Sequence, residues 1–226
     1  MVNEKMNEIE EFEKRLAEVT GEEFSINDFI EFEKNLVSWN ERMNLVSGGT
    51  IPHIYERHFL DSAQLYPLLV ENGKWKMENE KVVSIADLGA GAGFPSLVLA
   101  ILAKQKNANI KIEAIESIKK KALFLSHMVK TLNLNVIVRN HRIEAIVNKK
   151  YDIITARALK PMNELFKYSS KISHKDTMLI FLKGERVQEE LLEAKKYWTF
   201  DERLIPSKTS DTGRIVIIEK LRQAKF

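Results

Sequence analysis

The residues most able to do chemistry lie in Asp87-Leu88-Gly89-Ala90-Gly91-Ala92-Gly93-Phe94-Pro95, where a carboxylate is followed by three glycines at every second position. Glycines adopt positive φ at little cost and let a ligand come close to the backbone. A helix opening near Phe94-Pro95 adds free N–H groups and the positive end of its dipole. Such a turn is built to hold a nucleotide-like ligand. Ahead of it, Val82, Val83, Ile85 and Ala86 form a short apolar run, which predicts a strand covered on both faces and ended by Asp87.

The spacing narrows the ligand. A dinucleotide fingerprint needs G-x-G-x-x-G or a terminal alanine; counting from Gly89 reaches Phe94, and counting from Gly91 reaches Ser96. A phosphate loop needs Lys-Ser or Lys-Thr where Phe94-Pro95 stands. The unbroken pattern Asp87-x-Gly89-x-Gly91-x-Gly93 resembles the first motif of class I S-adenosylmethionine-dependent methyltransferases. That resemblance puts Asp87 near the cofactor's cationic amino-acid part. Glu116, 23 residues after Gly93, ends the second predicted strand, where a carboxylate can accept two ribose hydroxyl bonds at once. His141-Arg142-Ile143-Glu144-Ala145 follows the third strand and is placed to meet an adenine edge. Arg157 ends the fourth strand, either as a solvated charge or facing cofactor or phosphate. His58 and Asp61 stand at i and i+3 of a predicted helix, within reach of a hydrogen bond to each other, and are read as joining cap to core, with a role toward the substrate as the alternative.

Other constellations are missing. The five histidines show no H-E-x-x-H or comparable spacing, so no metal is expected. With no cysteine there is no disulfide, thiolate metal site or cysteine nucleophile, which removes the covalent route of pyrimidine-C5 methyltransferases. There is no G-x-S-x-G elbow and no Pro-Pro-aromatic motif of the amino-methylating DNA enzymes.

The positioning elements follow from periodicity. Phe29, Phe32, Leu36, Trp39 and Met43 step by 3 and 4 behind a cap at Ser25-Ile26-Asn27-Asp28, with Gly48-Gly49 expected to stop the helix. A helix is also expected over 1–20, and helical texture over Ile51–Leu69. The charged stretch Glu71–Lys81 is read as a linker. Beyond it strands are expected at Ile110–Glu116, Val136–Arg139, Tyr151–Ala156, Thr177–Leu182 and Arg214–Glu219. A helix over Ile118–Leu132 carries the stripe Ile118, Ala122, Leu125, Val129 and Leu132. Alternating strands and helices imply a mostly parallel sheet, helices on both faces and ligands at the strand C-termini.

Composition sets the class. The 226 residues are 44% hydrophobic and 30% charged, as in ordinary globular domains, and there is no apolar run long enough for a membrane span. With an acidic N-terminus lacking a signal-like core, a cytoplasmic protein is expected. Residues 1–60 hold 6 Lys+Arg and 13 Asp+Glu, a net −7; residues 61–226 hold 29 and 19, a net +10. The basic part suits a polyanionic partner, or reflects solvated helix faces.

Six motifs in order make a closer resemblance: Trp39-Asn40…Asn44-Leu45, Arg57-His58-x-x-Asp61-Ser62, Gly89 through Pro95, Arg142-x-Glu144, Arg157-Ala158 and Leu182-Lys183-Gly184. Together they resemble the RsmG family, also called glucose-inhibited division protein B, from about residue 25 to the C-terminus. The resemblance implies a class I methyltransferase, a Rossmann-like, mostly parallel seven-stranded sheet over 81–226 with an N-terminal helical cap over 1–80. It implies methyl transfer from S-adenosylmethionine to guanine N7 of 16S rRNA, in the small ribosomal subunit or its precursor, without membrane or metal; a small molecule or another RNA is the alternative substrate. Implied cofactor contacts are Gly89, Phe94, Ile143, Glu144 and Arg157, with Glu116 beside Asp87, Gly91 and Gly93. Arg157 and Lys183 are expected near the substrate, and the lysines of the basic domain on RNA phosphates. Ser96, where relatives usually have glycine, departs from the pattern and bears on close helix packing.

Overall fold

In the computed structural model, residues 2–71 and 82–224 are described. The proposed linker over 72–81, and with it the boundary at 80/81, lies outside them.

Seven strands form one sheet: β1 Val83–Leu88, β2 Ile110–Ile115, β3 Val136–Arg139, β4 Tyr151–Arg157, β5 Ser173–Lys183, β6 Trp198–Pro206 and β7 Arg214–Gln223. Their order is β3-β2-β1-β4-β5-β7-β6. β1 pairs in parallel with β2 and β4, and among the described strands only β7 runs antiparallel, between β5 and β6. Because β1 lies between β2 and β4, the crossovers diverge at its C-terminal end and leave a crevice there.

Alternation along β1 feeds two cores: Ile85 joins one, and Ala86 and Leu88 join the other. The second core holds α7 Met162–Ile172 and α8 Val187–Ala194. The first holds α5 Ser96–Gln105 and α6 Lys119–Thr131 together with α1 Val2–Thr20 and α2 Asn27–Met43. α5 is buried from Ser96 through Ala103, because the sheet covers one side and the N-terminal helices the other. The leading helices therefore complete the core that the sheet begins. Phe29, Phe32, Phe59 and Phe124 are fully buried within it, and Phe32 stacks on Phe94 at 5.3 Å between centroids and 9° between planes.

Three local expectations change. α2 carries the predicted apolar face, but Ile26 occupies its N-cap without a side-chain bond and Asn44, at φ +49°, ends it ahead of Gly48-Gly49. The stretch Ile51–Leu69 is not one helix. It breaks into a 3-10 turn at Gly48–His53, a π-helical turn at Tyr55–Leu60, α3 Asp61–Ala63 and α4 Tyr66–Glu71. β6 is an edge strand in which Asp201, Glu202 and Arg203 are all exposed, so its sequence gives no apolar alternation to read.

Candidate functional site

At the crevice over β1, β2 and β4 lies a cleft of ≈ 800 Å³. The glycine turn forms one side of it. Gly89, Gly91 and Gly93 all have positive φ, at +68°, +58° and +96°, but their missing Cβ atoms serve different ends. The space at Gly89 is taken by Leu159 Cδ1, 2.5 Å from where a Cβ would sit, and the space at Gly93 by Leu97 at the same distance. At Gly91 the nearest atom is the Gly89 carbonyl oxygen at 3.8 Å, and the residue opens into the cleft. Gly93, expected to contact a ligand, instead lets α5 pack close and does not line the cleft.

Asp87 also lies off the cleft. Its side chain is wholly buried and does not reach the cleft; it accepts from the Ser96 N–H at 3.2 Å and from Thr155 Oγ1 at 3.0 Å. Burial pushes its pKa up, while these donors and the Arg157 charge pull it back. Asp87 is a strut beneath the turn that ties β1 to β4 and to the first turn of α5. Ser96, for its part, fits into the tight start of α5 with its backbone N–H on that strut.

Glu116 does face the cleft from the end of β2. Its Oε2 accepts from the Gly91 N–H at 2.9 Å and its Oε1 from the Ile118 N–H at 2.7 Å. These bonds fix the plane of the carboxylate and leave each oxygen a further lone pair. Ile143 and Glu144, in a 3-10 turn after β3, line the same wall, with Tyr168 beside Glu144. A hydrogen bond from its own backbone N–H, and a second from the Tyr168 hydroxyl, hold the Glu144 carboxyl below its usual range.

The other end of the cleft is built from segments far apart in the chain. Arg157 donates from NH1 to the Arg57 carbonyl oxygen at 3.1 Å and to Asp61 Oδ2 at 3.2 Å, and from NH2 to His58 Nδ1 at 2.9 Å. Its guanidinium also lies 4.9 Å from the Phe94 ring centroid. His58 stacks on that ring at 4.8 Å and 18°. His58 and Asp61 thus share Arg157 instead of bonding each other, as the lone-helix spacing had suggested. Asp61 Oδ1 accepts from Thr209 Oγ1 and Gln64 Nε2, both at 2.9 Å, which brings in the turn between β6 and β7. Lys183 lines the cleft, but its ammonium is held by Glu190 at 2.6 Å and the Lys160 carbonyl oxygen at 2.9 Å. Glu190 in turn accepts from the Met162 N–H, so this group anchors α7 as well. Thr50, Leu159, Tyr168 and Thr209 line the cleft without having been foreseen. Nothing in their spacing marks them; each arrives through tertiary packing.

Among the described residues no cluster of His, Asp and Glu could hold a metal ion, and no helix is long and apolar enough to cross a membrane.

Residues 25–214 match the model of the GidB family, described as rRNA small subunit methyltransferase G. The chain belongs to this family. Proteins named ribosomal RNA small subunit methyltransferase G share its sequence over nearly their whole length. The one from Caulobacter vibrioides (strain NA1000 / CB15N) is 41% identical over 92% of this chain and 91% of its own. The one from Dinoroseobacter shibae is 39% identical over 85% and 94%. Solved methyltransferases share the fold. Ribosomal protein L11 methylase from Lactobacillus delbrueckii subsp. bulgaricus superposes with a TM-score of 0.53 at 19% identity, over 71% of this chain and 79% of that one. The CMeT domain of citrinin polyketide synthase does so with a TM-score of 0.57 at 12% identity, over 71% and 52%. GidB membership makes the chain a methyltransferase, on the mostly parallel seven-stranded sheet expected of class I.

Proposed function

We propose that the protein transfers a methyl group from S-adenosylmethionine to N7 of a guanine in bacterial 16S rRNA, acting in the cytoplasm on the small ribosomal subunit or its precursor. The observation that carries the cofactor assignment is Gly91: it opens into the cleft where a side chain would fill it, with the oriented Glu116 carboxylate against its N–H. The donor set fits. Glu116 has two acceptor positions left for the ribose hydroxyls, Ile143 and Glu144 offer a wall for adenine, and the cleft is of the size of small-molecule sites, about 300–1,000 Å³. Arg157, with two N–H groups unpartnered among the described residues, is assigned to the cofactor's carboxylate end. Within this reading residues 2–71 form a helical cap that closes the substrate side.

When bound, S-adenosylmethionine supplies an electrophilic methyl group on a sulfonium. Guanine N7 carries an exposed lone pair, so no side chain has to remove a proton, and the protein's work is alignment and exclusion of water. Phe94, Leu159 and Leu182 give the apolar lining for that exclusion. Lys121, Arg142, Lys160 and Arg214 stand around the cleft as cations for RNA phosphates.

The test is incubation with small ribosomal subunits from a strain lacking the modification and radiolabelled cofactor, followed by mass spectrometry of the RNA. Label on a single guanine N7 is the expected result. Label on another base, or on small molecules only, overturns the assignment.

A further inference from the structure

The histidine at the boundary between cap and sheet has hydrogen bonds whose direction can be assigned without ambiguity. Arginine only donates, so His58 Nδ1, 2.9 Å from Arg157 NH2, must present a bare lone pair. At the other end, Thr50 donates its hydroxyl proton to the Ser47 carbonyl oxygen at 2.7 Å, which can only accept. Thr50 Oγ1 is therefore the acceptor for His58 Nε2–H at 2.9 Å. The chain Arg157 → His58 → Thr50 → Ser47 runs one way, closed by an obligatory donor and an obligatory acceptor. Its members come from separate parts of the chain that meet at one end of the cleft: Thr50 from the turn after α2, Arg157 from the end of β4.

We propose that His58 is a positioning residue for methyl transfer: a neutral imidazole, protonated on Nε2 alone, whose Nδ1 lone pair fixes the Arg157 guanidinium over Phe94 and couples it to the 47–50 turn. It is not a general base, because the lone pair a base would need is already spent on Arg157. The surroundings of the ring support the neutral form: burial disfavours a charge there, as do Arg157 from the end of β4 and Arg57 from the same turn as His58, while Asp61 is occupied by Arg157. The proposal rests on Arg157 serving the cofactor edge.

Side-chain replacements separate a lone-pair role from mere filling of space. In H58N the amide oxygen can take the place of Nδ1 and accept from Arg157; in H58Q the longer amide reaches the Nε2 position and serves Thr50 only; H58L serves neither. H58N is expected to keep most of the wild-type kcat. H58Q and H58L are expected to lose about 100-fold, the scale of a small misplacement in an alignment-dependent reaction, with melting temperatures near wild type. Equal losses in H58N and H58L, or wild-type rates in H58Q, overturn the proposal. A second measurement needs neither variants nor turnover. Nitrogen-15 NMR of the wild-type imidazole is expected to show a bare Nδ1 and a protonated Nε2 from about pH 5 to 8; the opposite tautomer, or a doubly protonated ring, overturns it even if folding of the variants fails. If the wild type itself methylates no ribosomal RNA, the function falls while the tautomer assignment stands.

Discussion

The two ends of the cleft are made in opposite ways. The glycine-turn end is local: Asp87 through Phe94, with Glu116 one crossover later, is one strand–turn–helix unit and its neighbour in the sheet. The far end is assembled from four separated segments, with Thr50 and His58 from the cap, Arg157 from β4 and Thr209 from the β6–β7 turn meeting around Arg157 and Asp61. The local end can be written into a short motif because backbone shape does the binding. The assembled end relies on side chains whose partners are about 100 to 150 residues away, so each group is fixed by bonds to the others. Damage should therefore differ in kind. At the local end one residue can block the ligand and leave the fold intact; at the assembled end the same loss changes alignment.

The largest effect expected from this contrast is at Gly91. A Gly91→Val variant points its side chain into open cleft and carries φ of +58°, which costs about 1–2 kcal/mol in backbone strain. It should remain folded and lose more than about 100-fold in cofactor affinity by calorimetry, since the ligand and the side chain compete for one space. Unimpaired binding would show that the cofactor does not cross Gly91 and would erase the distinction between the two ends.

Asp87 sharpens the comparison from within the local end. Its two acceptor oxygens face two donors, the Ser96 N–H and the Thr155 hydroxyl. In Asp87→Asn one of those donors would meet an NH2 group, at a cost of about 1–3 kcal/mol for the unmade buried bond. Chemical denaturation should register that loss while the affinity of the folded variant for the cofactor stays close to wild type. A large fall in affinity at unchanged stability would return Asp87 to the role of a direct ligand.

How much of this was legible follows the same division. The sheet and its parallel core could be read from Ile85, Ile112, Ile153 and Ile180, because buried parallel strands are short apolar runs. Glu116 could be read from its place at a strand end. Asp87 and Gly93 were legible as a motif but not in their duties, because spacing shows that a turn forms and not which atoms face outward. β6 was invisible because Asp201, Glu202 and Arg203 belong to an exposed edge. Thr50 and Thr209 carry no mark at all: a loop threonine becomes part of the site only when the fold brings it to His58 or Asp61. His58 and Asp61 stand out as an i, i+3 pair, but the partner they share, Arg157, lies nearly a hundred residues further along, where no local spacing points to it.

The last effect is the most direct reading of the assembled end, since it follows a single proton. Burial, with the Arg157 and Arg57 charges, lowers the His58 pKa from 6.5 to about 3. The unfolded chain therefore binds a proton at this residue over a range in which the folded chain does not, and unfolding takes that proton up. The contribution of His58 to stability is fully present above pH 6.5 and is lost as pH falls from there towards 3, at about 1.4 kcal/mol per pH unit where the slope is steepest. Glu113, held down to about 2 by hydrogen bonds from Arg139, Lys149 and Tyr151, loses its own contribution only as pH drops below 4.5. The interval between 4.5 and 6.5 thus separates the two. Urea unfolding of wild type and His58→Leu across that interval should show the wild type losing stability relative to the variant, with one fewer proton taken up when the variant unfolds. A pH-independent difference between them would mean that the folded protein accepts a proton on this imidazole, and that the bond from Arg157 does not hold its lone pair.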